Sequence, residues 1–550
     1  MWDYVLLGLK TLGVLVLLEV ILIRFIPFCL GYRHYSKQGL PFFQGVLPFV
    51  GNYLRLVRLM QEVPRQEFVP FGPMIKQDFG SAHPPEVIVS MMQQQPVLVL
   101  NSAKSLTELY VTKNRFFEKD PIGAIQFGSL FGQSIVLAPS DEVWAKKRKV
   151  LGSAFYKEKL FKMVGVIREI VREKIVEIEK EYVEKRYEMD VVSEMGDLHM
   201  RIILMTAFGL TDLHQVKLPY IEGGVTKQMK VADILRQLTS YMIFRAGRYM
   251  FAVIPYMMFF YYSKEDREYM ANIRTVRNFC LSIIERRRKN LAASPNEDKC
   301  GDILTIMLQQ PSVFATNDSM IDEIITFFLA GSFTLKTTNS NLLMYLDCNP
   351  KVYSTLMGEL RETVFCEALK NGGSRIEDPI ASLSIESVEG LRYFSQCFYE
   401  TLRLEPPTVA SGGIFTEDQE VCGVKIRKHD FFVINMQQMH HDRTEWQRPS
   451  DFIPERFDSL NPLSLRPDGA KRHPLAFNPF IGGKRICLGK TFAEIVAKFV
   501  VPALLGRFKF EHVDTDIPKG IKPKIIQNLN QVCDPIVPMQ VSIVDWSKKI

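Results

Sequence analysis

The chain has 550 residues, 47% of them hydrophobic, and a net charge of +7. That composition supports a large core, and the charge is too small to argue for a nucleic-acid partner. Nine scattered cysteines without a C-x-x-C pair exclude a disulfide framework and a paired-cysteine zinc site, and they suit a reducing compartment.

Residues 5–30 are mostly apolar, interrupted by Lys10, Glu19 and Arg24. At about 100° per residue Glu19 falls opposite Lys10, so no single polar face forms. The segment therefore reads as a spanning helix rather than one lying flat on a membrane. Lys10 and Arg24 snorkel towards opposite ends, while Glu19 remains a cost. No small-residue cleavage site follows, so residues 1–30 are predicted to be an uncleaved anchor. Arg33, His34 and Lys37 come next and place the C-terminal body on the cytosolic side. Pro41, Gly45, Pro48 and Gly51 break regular structure, which predicts a hinge over 31–52. No Gly/Ser linker, long charge run or repeat divides the remainder, so 53–550 is read as one catalytic domain.

Short apolar runs over 88–99 predict a small N-terminal sheet, and 106–113 predicts a helix. Trp144 and Arg148 are four apart and share one helical face, where two N–H-bearing groups suit a carboxylate. Spacing alone does not separate this from a surface helix pair. Lys146, Lys147 and Lys149 then point elsewhere, as a docking patch for an acidic partner or as a solvated face. Long helices are predicted over 161–182 and 191–208. The aromatic run 249–262, broken by Pro255, reads as a buried helix, and 266–290 reads as a charged amphipathic one.

Residues 320–346 form one long helical pattern, too apolar to be mostly exposed. It contains Ala330-Gly331-Ser332-Phe333-Thr334. Gly331 costs about 1 kcal/mol relative to Ala, which close approach of a flat ligand would explain. Thr334 can bond back to a carbonyl one turn earlier. A further helix is predicted over 349–367. Glu400 and Arg403 are three apart on one helical face, ahead of Pro406-Pro407, and Arg456 in Pro454-Glu-Arg-Phe offers a second arginine. Residues 424–436 alternate like strands expected to line the site, and 528–544 reads as a closing hairpin.

The most informative stretch is Phe480-Ile-Gly-Gly483-Lys-Arg485-Ile-Cys487-Leu-Gly489, followed by an amphipathic helix from Lys490. Cys487 thus stands where a loop enters a helix. Free N–H groups there, with Lys484 and Arg485, favour a thiolate, which is a soft metal ligand. The glycines let the backbone come close to a flat partner.

This spacing resembles the haem-binding loop of the cytochrome P-450 family, in its membrane-anchored microsomal type. Trp-x-x-x-Arg, Ala-Gly-x-x-Thr and Glu-x-x-Arg precede it in the family's order, and the resemblance runs from residue 41 to the end. It implies a mostly α fold, a triangular helical prism with a small β region, behind the anchor helix. It implies haem b (iron protoporphyrin IX), with Cys487 as the sole protein ligand to iron. Phe480 would pack over the sulfur, and Gly483 and Gly489 would shape the loop. Arg485, Trp144 and Arg148 would meet the haem propionates. Ala330, Gly331 and Thr334 would form the O2 segment, with Thr334 managing oxygen and protons. Glu400, Arg403 and Arg456 would form a structural charge network.

The activity implied is insertion of one atom of O2 into an apolar small molecule, such as a lipid, sterol, fatty acid or xenobiotic. Electrons would come from NADPH through cytochrome P-450 reductase, with cytochrome b5 as a further donor. The implied setting is the endoplasmic reticulum membrane, with the catalytic domain facing the cytosol and the region around 249–262 against lipid. Two positions depart from the family pattern. The usual acid before the threonine is Phe333, which removes a proton relay, keeps the site drier, and leaves an isomerase or dehydratase acting on a hydroperoxide as an alternative, beside a haem-binding sensor. The basic residue that many relatives carry ten positions beyond the motif arginine is Gly413 here, so that propionate contact is lost.

Overall fold

A helix that is apolar on all sides has to be surrounded, and residues 320–346 set the architecture accordingly. In a computed structural model of the protein, residues 11–548 are described apart from 12–13, 15–17, 19, 49, 63–70, 81–83, 93–94, 211–215, 249–254, 294–301, 371–372, 514–524, 529–531 and 536–537. The architecture is mostly helical with small sheets, as expected.

Much of the expected anchor lies outside the described residues. From Val20 the chain is helical, first as a π-turn (Val20–Phe25) and then as an α-helix (Ile26–Ser36). Among the described residues no helix is long and apolar enough to cross a membrane. The helix runs past residue 31, where the hinge was expected, because its last turn is docked. Tyr35 is fully buried, and its hydroxyl donates to Asp430 at 2.5 Å.

Five strands form one mixed sheet: β1 (Val87–Met92), β2 (Gln95–Leu100), β3 (Phe117–Glu118), β4 (Ala410–Phe415) and β5 (Phe431–Asn435). Their spatial order is β1-β2-β5-β4-β3, and only β2 and β5 run parallel. β3 and β4 pair with Glu118 opposite Ile414. The closing region resolves into strands Ile525–Asn528 and Val532–Pro535, which pair with each other, and Met539–Ile543, which pairs with Phe508–His512. Of the aromatic run, residues 249–254 lie outside the described residues. Pro255–Phe259 is a short 3₁₀ turn and Phe260 is 81% exposed, so this part is not the interior of a buried helix.

The helical body is built from α1 (Glu142–Gly152), α2 (Val191–Phe208), α3 (Asn317–Cys348), α4 (Arg392–Leu404) and α5 (Lys490–Arg507), with further helices around them. α3 has 32 residues, a length of about 48 Å. Thr316 caps its first turn, its hydroxyl accepting the Ser319 N–H at 3.1 Å. It packs against α2, α4 and α5. Where α2 and α3 meet, the Asn339 amide donates to Nε2 of His199, whose Nδ1 donates to the Met195 carbonyl. Burial pushes the His199 imidazole down to about 4, so this buried bridge is neutral at physiological pH.

Gly331 marks the tight point of the α2–α3 packing. A Cβ there would meet Ile203 Cδ1 at 2.7 Å and Cγ1 at 2.9 Å. A neighbouring side chain of the same chain thus accounts for a glycine at this position. Gly331→Ala is expected to destabilise by roughly 1–2 kcal/mol through overpacking. The double variant Gly331→Ala/Ile203→Ala should lose less than the sum of the two singles, by about 1 kcal/mol. Urea unfolding of the four proteins measures this, and strict additivity would show that the two side chains do not compete for space.

Behind the cysteine loop lies a buried charge cluster. Glu400, Arg403 and Arg456 have fully buried side chains. Arg403 donates to both Glu400 oxygens at 2.8 Å, and Arg456 Nε donates to Oε1 at 2.9 Å. The Ile453 N–H reaches the same Oε1 at 2.9 Å. One carboxylate thus faces two guanidinium groups. The remaining donors reach the carbonyls of His440, Pro449, Gln447 and Arg448, and both guanidiniums lie near the Trp446 ring. Arg472 stacks on that ring at 3.8 Å, and burial with Arg456 and Arg403 pushes it down to about 10. Removing one partner of such a group strands buried charge, so Glu400→Gln should cost about 3–5 kcal/mol. Chemical-denaturation midpoints test it, and a loss below about 1 kcal/mol would mean that the carbonyls alone hold the two arginines.

Candidate active site

The loop before α5 is held by its own backbone. The Cys487 N–H donates to the Phe480 carbonyl at 2.9 Å and the Ile486 N–H to the Gly483 carbonyl at 3.2 Å. Gly483 has φ +60°, and a Cβ there would meet Asn114 Oδ1 at 2.4 Å; one at Gly482 would meet the Tyr110 ring at 2.5 Å. These two glycines therefore seat the loop on Tyr110 and Asn114, and Asn114 accepts the Lys484 N–H at 2.7 Å. Gly489 differs. A Cβ added there meets nothing within 4 Å, because the residue borders a cavity of about 320 Å³. Phe480 lines the same cavity, with the Lys490 ammonium 5.7 Å from its ring.

Cys487 is exposed to that cavity. Burial among protein atoms raises its thiol, while the Gly489 N–H and the positive charge of Arg148 act to lower it. Ala330, Gly331 and Thr334 from α3 line the cavity with Cys487. Ala330 is exposed although the nine residues before it along α3 are buried. The Thr334 hydroxyl donates to the Ala330 carbonyl at 2.7 Å. Phe333 is not among the lining residues. It packs on the main core beneath the Lys336 ammonium, 5.5 Å from its ring, so it cannot be what keeps the cavity dry. Of the strands expected to line the site, only Phe432 and Ile434 come close, on the wall of an adjoining cavity of about 20 Å³.

Positive charge gathers on one part of the wall. α1, capped by Asp141 accepting the Trp144 N–H at 2.8 Å, carries Trp144 and Arg148. The indole N–H of Trp144 donates to the Ile135 carbonyl at 2.9 Å, and Arg148 donates to the Ile486 carbonyl. Arg485 donates to the Ile135 and Ala138 carbonyls at 3.0 and 2.6 Å and lies over the Trp144 ring at 4.2 Å. The Ile135 N–H in turn donates to Glu323, a buried carboxyl that burial pushes up to about 7 against the pull of Lys147. Lys147 is itself buried, 3.2 Å from Glu323, and so leaves the surface patch that its neighbours Lys146 and Lys149 keep. Trp144, Lys147 and Leu151 share the inward face of α1, which explains the difference.

Lys119 also lines the cavity. Its place between Glu118 and Asp120, just before a helix-starting proline, carries no local sign of burial, and sequence reasoning passed over it.

Among the lining residues Cys487 is the one side chain suited to ligating a metal, and none is acidic. No cluster of three metal-ligating side chains occurs among the described residues. A metal held here therefore needs its other donors from outside these side chains. The walls are otherwise mainly apolar, and the cationic end suits an acidic edge. Haem b, a flat macrocycle with two carboxylates, fits the donor set, the open face at Gly489 and the charge distribution.

A family model described as Cytochrome P450 matches residues 43–533. The chain is 26% identical to Cytochrome P450 734A1 of Arabidopsis thaliana, over 88% of this chain and 87% of the relative. It is 25% identical to Cytochrome P450 3A16 of Mus musculus, over 98% and 97%. It is 24% identical to Cytokinin hydroxylase of Arabidopsis thaliana, over 76% and 74%. Joined to a lone cysteine on the wall of an apolar cavity with a cationic end, the match across most of the chain leads to one assignment: the protein belongs to the cytochrome P450 family, and it is a monooxygenase.

Proposed function

We propose that the protein inserts one oxygen atom of O2 into a C–H bond of an apolar small molecule. The observation that carries this reading is Cys487 exposed on the wall of a largely apolar cavity, facing α3 at Ala330 and Thr334. A relative named as a hydroxylase supports it. Electrons come from NADPH through cytochrome P-450 reductase, and cytochrome b5 is a further donor. Exposed Lys146 and Lys149 on α1 suit an acidic protein surface. The location is the endoplasmic reticulum membrane with the catalytic body in the cytosol, the N-terminal segment serving as anchor and exposed Phe259, Phe260 and Tyr261 meeting lipid.

Haem b, when bound at Cys487, supplies activation of O2, with electron density from sulfur favouring O–O cleavage. Cys487 is its protein ligand, Phe480 borders the sulfur, and Gly483 and Gly489 keep the loop low enough for a flat face. Arg148 and Arg485 meet its carboxylates, and Trp144 serves as the platform on which Arg485 is stacked. The apolar walls remove the substrate from water.

The reaction consumes two electrons and two protons and releases one water. Among the described residues no acidic side chain lines the cavity, and water is the carrier that brings protons to it. With its own proton on the Ala330 carbonyl, the Thr334 oxygen retains lone pairs that accept a hydrogen bond from such a water. This orients the water's second proton into the cavity.

The reduced carbon monoxide complex should show the Soret band characteristic of thiolate ligation, and Cys487→Ala should abolish it. Retention of both haem and that band in Cys487→Ala, or turnover of a hydroperoxide without O2 or NADPH by the wild type, would overturn the reading. Thr334→Ala should keep haem and substrate binding. Its product per NADPH consumed should fall by at least about tenfold, with peroxide rising in its place. Measuring product and peroxide together decides this, and unchanged coupling would remove Thr334 from proton handling.

A further inference from the structure

Two adjacent carboxylates on α3 receive the loop that joins the helix Pro121–Phe131 to α1. Asp322 accepts the Gln133 N–H at 2.8 Å, and Glu323 accepts the Ile135 N–H with its two oxygens at 3.1 and 3.2 Å. Gly132, at φ +52°, permits the close approach, because a Cβ there would lie 2.1 Å from an Asp322 oxygen. Lys147 closes the arrangement from α1, donating to Glu323 and to the Gln133 carbonyl, both at 3.2 Å. The two carboxylates keep different company. Asp322 faces Arg277 at 2.8 Å, from the helix Lys264–Ala293, and Arg277 also reaches Asp318 at 2.7 Å. Glu323 is fully buried, and among the described residues Lys147 is the cation it pairs with. The helices Pro121–Phe131 and Ile303–Leu308 and residues 205–208 of α2 also pack on α3, and none of them carries a charged side chain.

The far side of the Ile135 peptide serves the cavity. Its carbonyl accepts from Trp144 at 2.9 Å and from Arg485 at 3.0 Å. Hydrogen bonds in a chain polarise one another, so a carboxylate on the N–H makes the carbonyl a stronger acceptor. A neutral carboxyl on the same N–H does so less. Glu323 stands between these two states: burial pushes it up to about 7, Lys147 opposes that, and Asp322 adds to it.

We propose that Glu323 is a positioning residue for the cofactor: its carboxylate, paired with Lys147, fixes the Ile135 peptide and so holds Arg485 at the cationic end of the cavity, and protonation relaxes that hold. This rests on the reading of the cavity as a haem-thiolate site. Glu323 is not among the lining residues and acts through one peptide group. Lys147 balances its charge, so the two states differ mainly in hydrogen-bond strength. The ionised form favours the loaded protein, so loading weakens proton binding at Glu323. The change in haem retention therefore falls at or below about pH 7.

The test measures haem transfer from the loaded protein to excess apomyoglobin between about pH 5.5 and pH 8.5. Glu323→Gln carries the neutral form at every pH. At about pH 8 it should release haem roughly tenfold faster than wild type, the difference between a charge-assisted and a neutral hydrogen bond. At about pH 5.5 the two rates should converge, because wild-type Glu323 is then protonated as well. Lys147→Met removes the opposing charge and should move the transition to higher pH. Hydrogen–deuterium exchange of residues 132–138 is a second readout, and Glu323→Gln should exchange faster there at about pH 8. A purely structural role gives a release ratio that does not change with pH, and that outcome would overturn the proposal. So would equal release from Glu323→Gln and wild type at about pH 8, unchanged exchange over 132–138, or an unmoved transition in Lys147→Met. Should neither variant fold, the wild-type profile decides, and release that fails to accelerate as the pH falls would sink the role. A wild type that takes up no haem, or lacks the thiolate band, would overturn the underlying reading and this proposal with it. That band in the wild type beside a pH-independent release ratio would overturn the proposal alone.

Discussion

Two guanidinium groups around one carboxylate, all without access to water, constrain the half of the molecule behind the cysteine loop. The arrangement is tolerable only because the chain wraps its own carbonyls around the surplus charge. His440 ends the short helix Met436–His440 that follows β5, and Gln447, Arg448 and Pro449 belong to the irregular stretch between that helix and α5. That stretch has little regular structure to fix it, so polar satisfaction takes the place of a helix or sheet. The Cys487 loop follows the stretch directly. The sulfur's position is thereby inherited from α4, through Glu400 and Arg403.

The cavity combines two demands that conflict. Apolar walls exclude water, yet three cations stand on the same wall, and every charge there is costly to desolvate. The conflict is eased unevenly. Arg148 and Arg485 are held by backbone carbonyls, and the Trp144 ring backs both of them. The Ile135 peptide is central, with its oxygen serving Trp144 and Arg485 and its N–H serving Glu323 on α3. The rim of the site is thus tied to the helix that forms its opposite wall.

The helical frame was legible because its signals are periodic and local: the 32-residue α3, the capped α1 and the amphipathic α5 all stand within a few residues of where their patterns place them. The cysteine loop was legible because its informative residues are contiguous. What the sequence did not show was side-chain fate decided by tertiary packing. Lys147 sits among lysines that look alike, and only its turn toward Glu323 separates it from Lys146 and Lys149. Lys119 sits in a run that reads as solvated charge. Gly331 stands out in a helical pattern, but Ile203, the side chain that a Cβ there would meet, lies over a hundred residues earlier in the chain.

That last contact has a consequence beyond stability. Gly331 and Ile203 share a fixed volume between two rigid helices, so size at one position is coupled to size at the other. Drift at either site is permitted only in step with its counterpart. Among descendants of this chain the two positions should covary, with a bulkier residue on α3 answered by a smaller one on α2, and a history of their substitutions would record the separation of the two helices more faithfully than either residue alone.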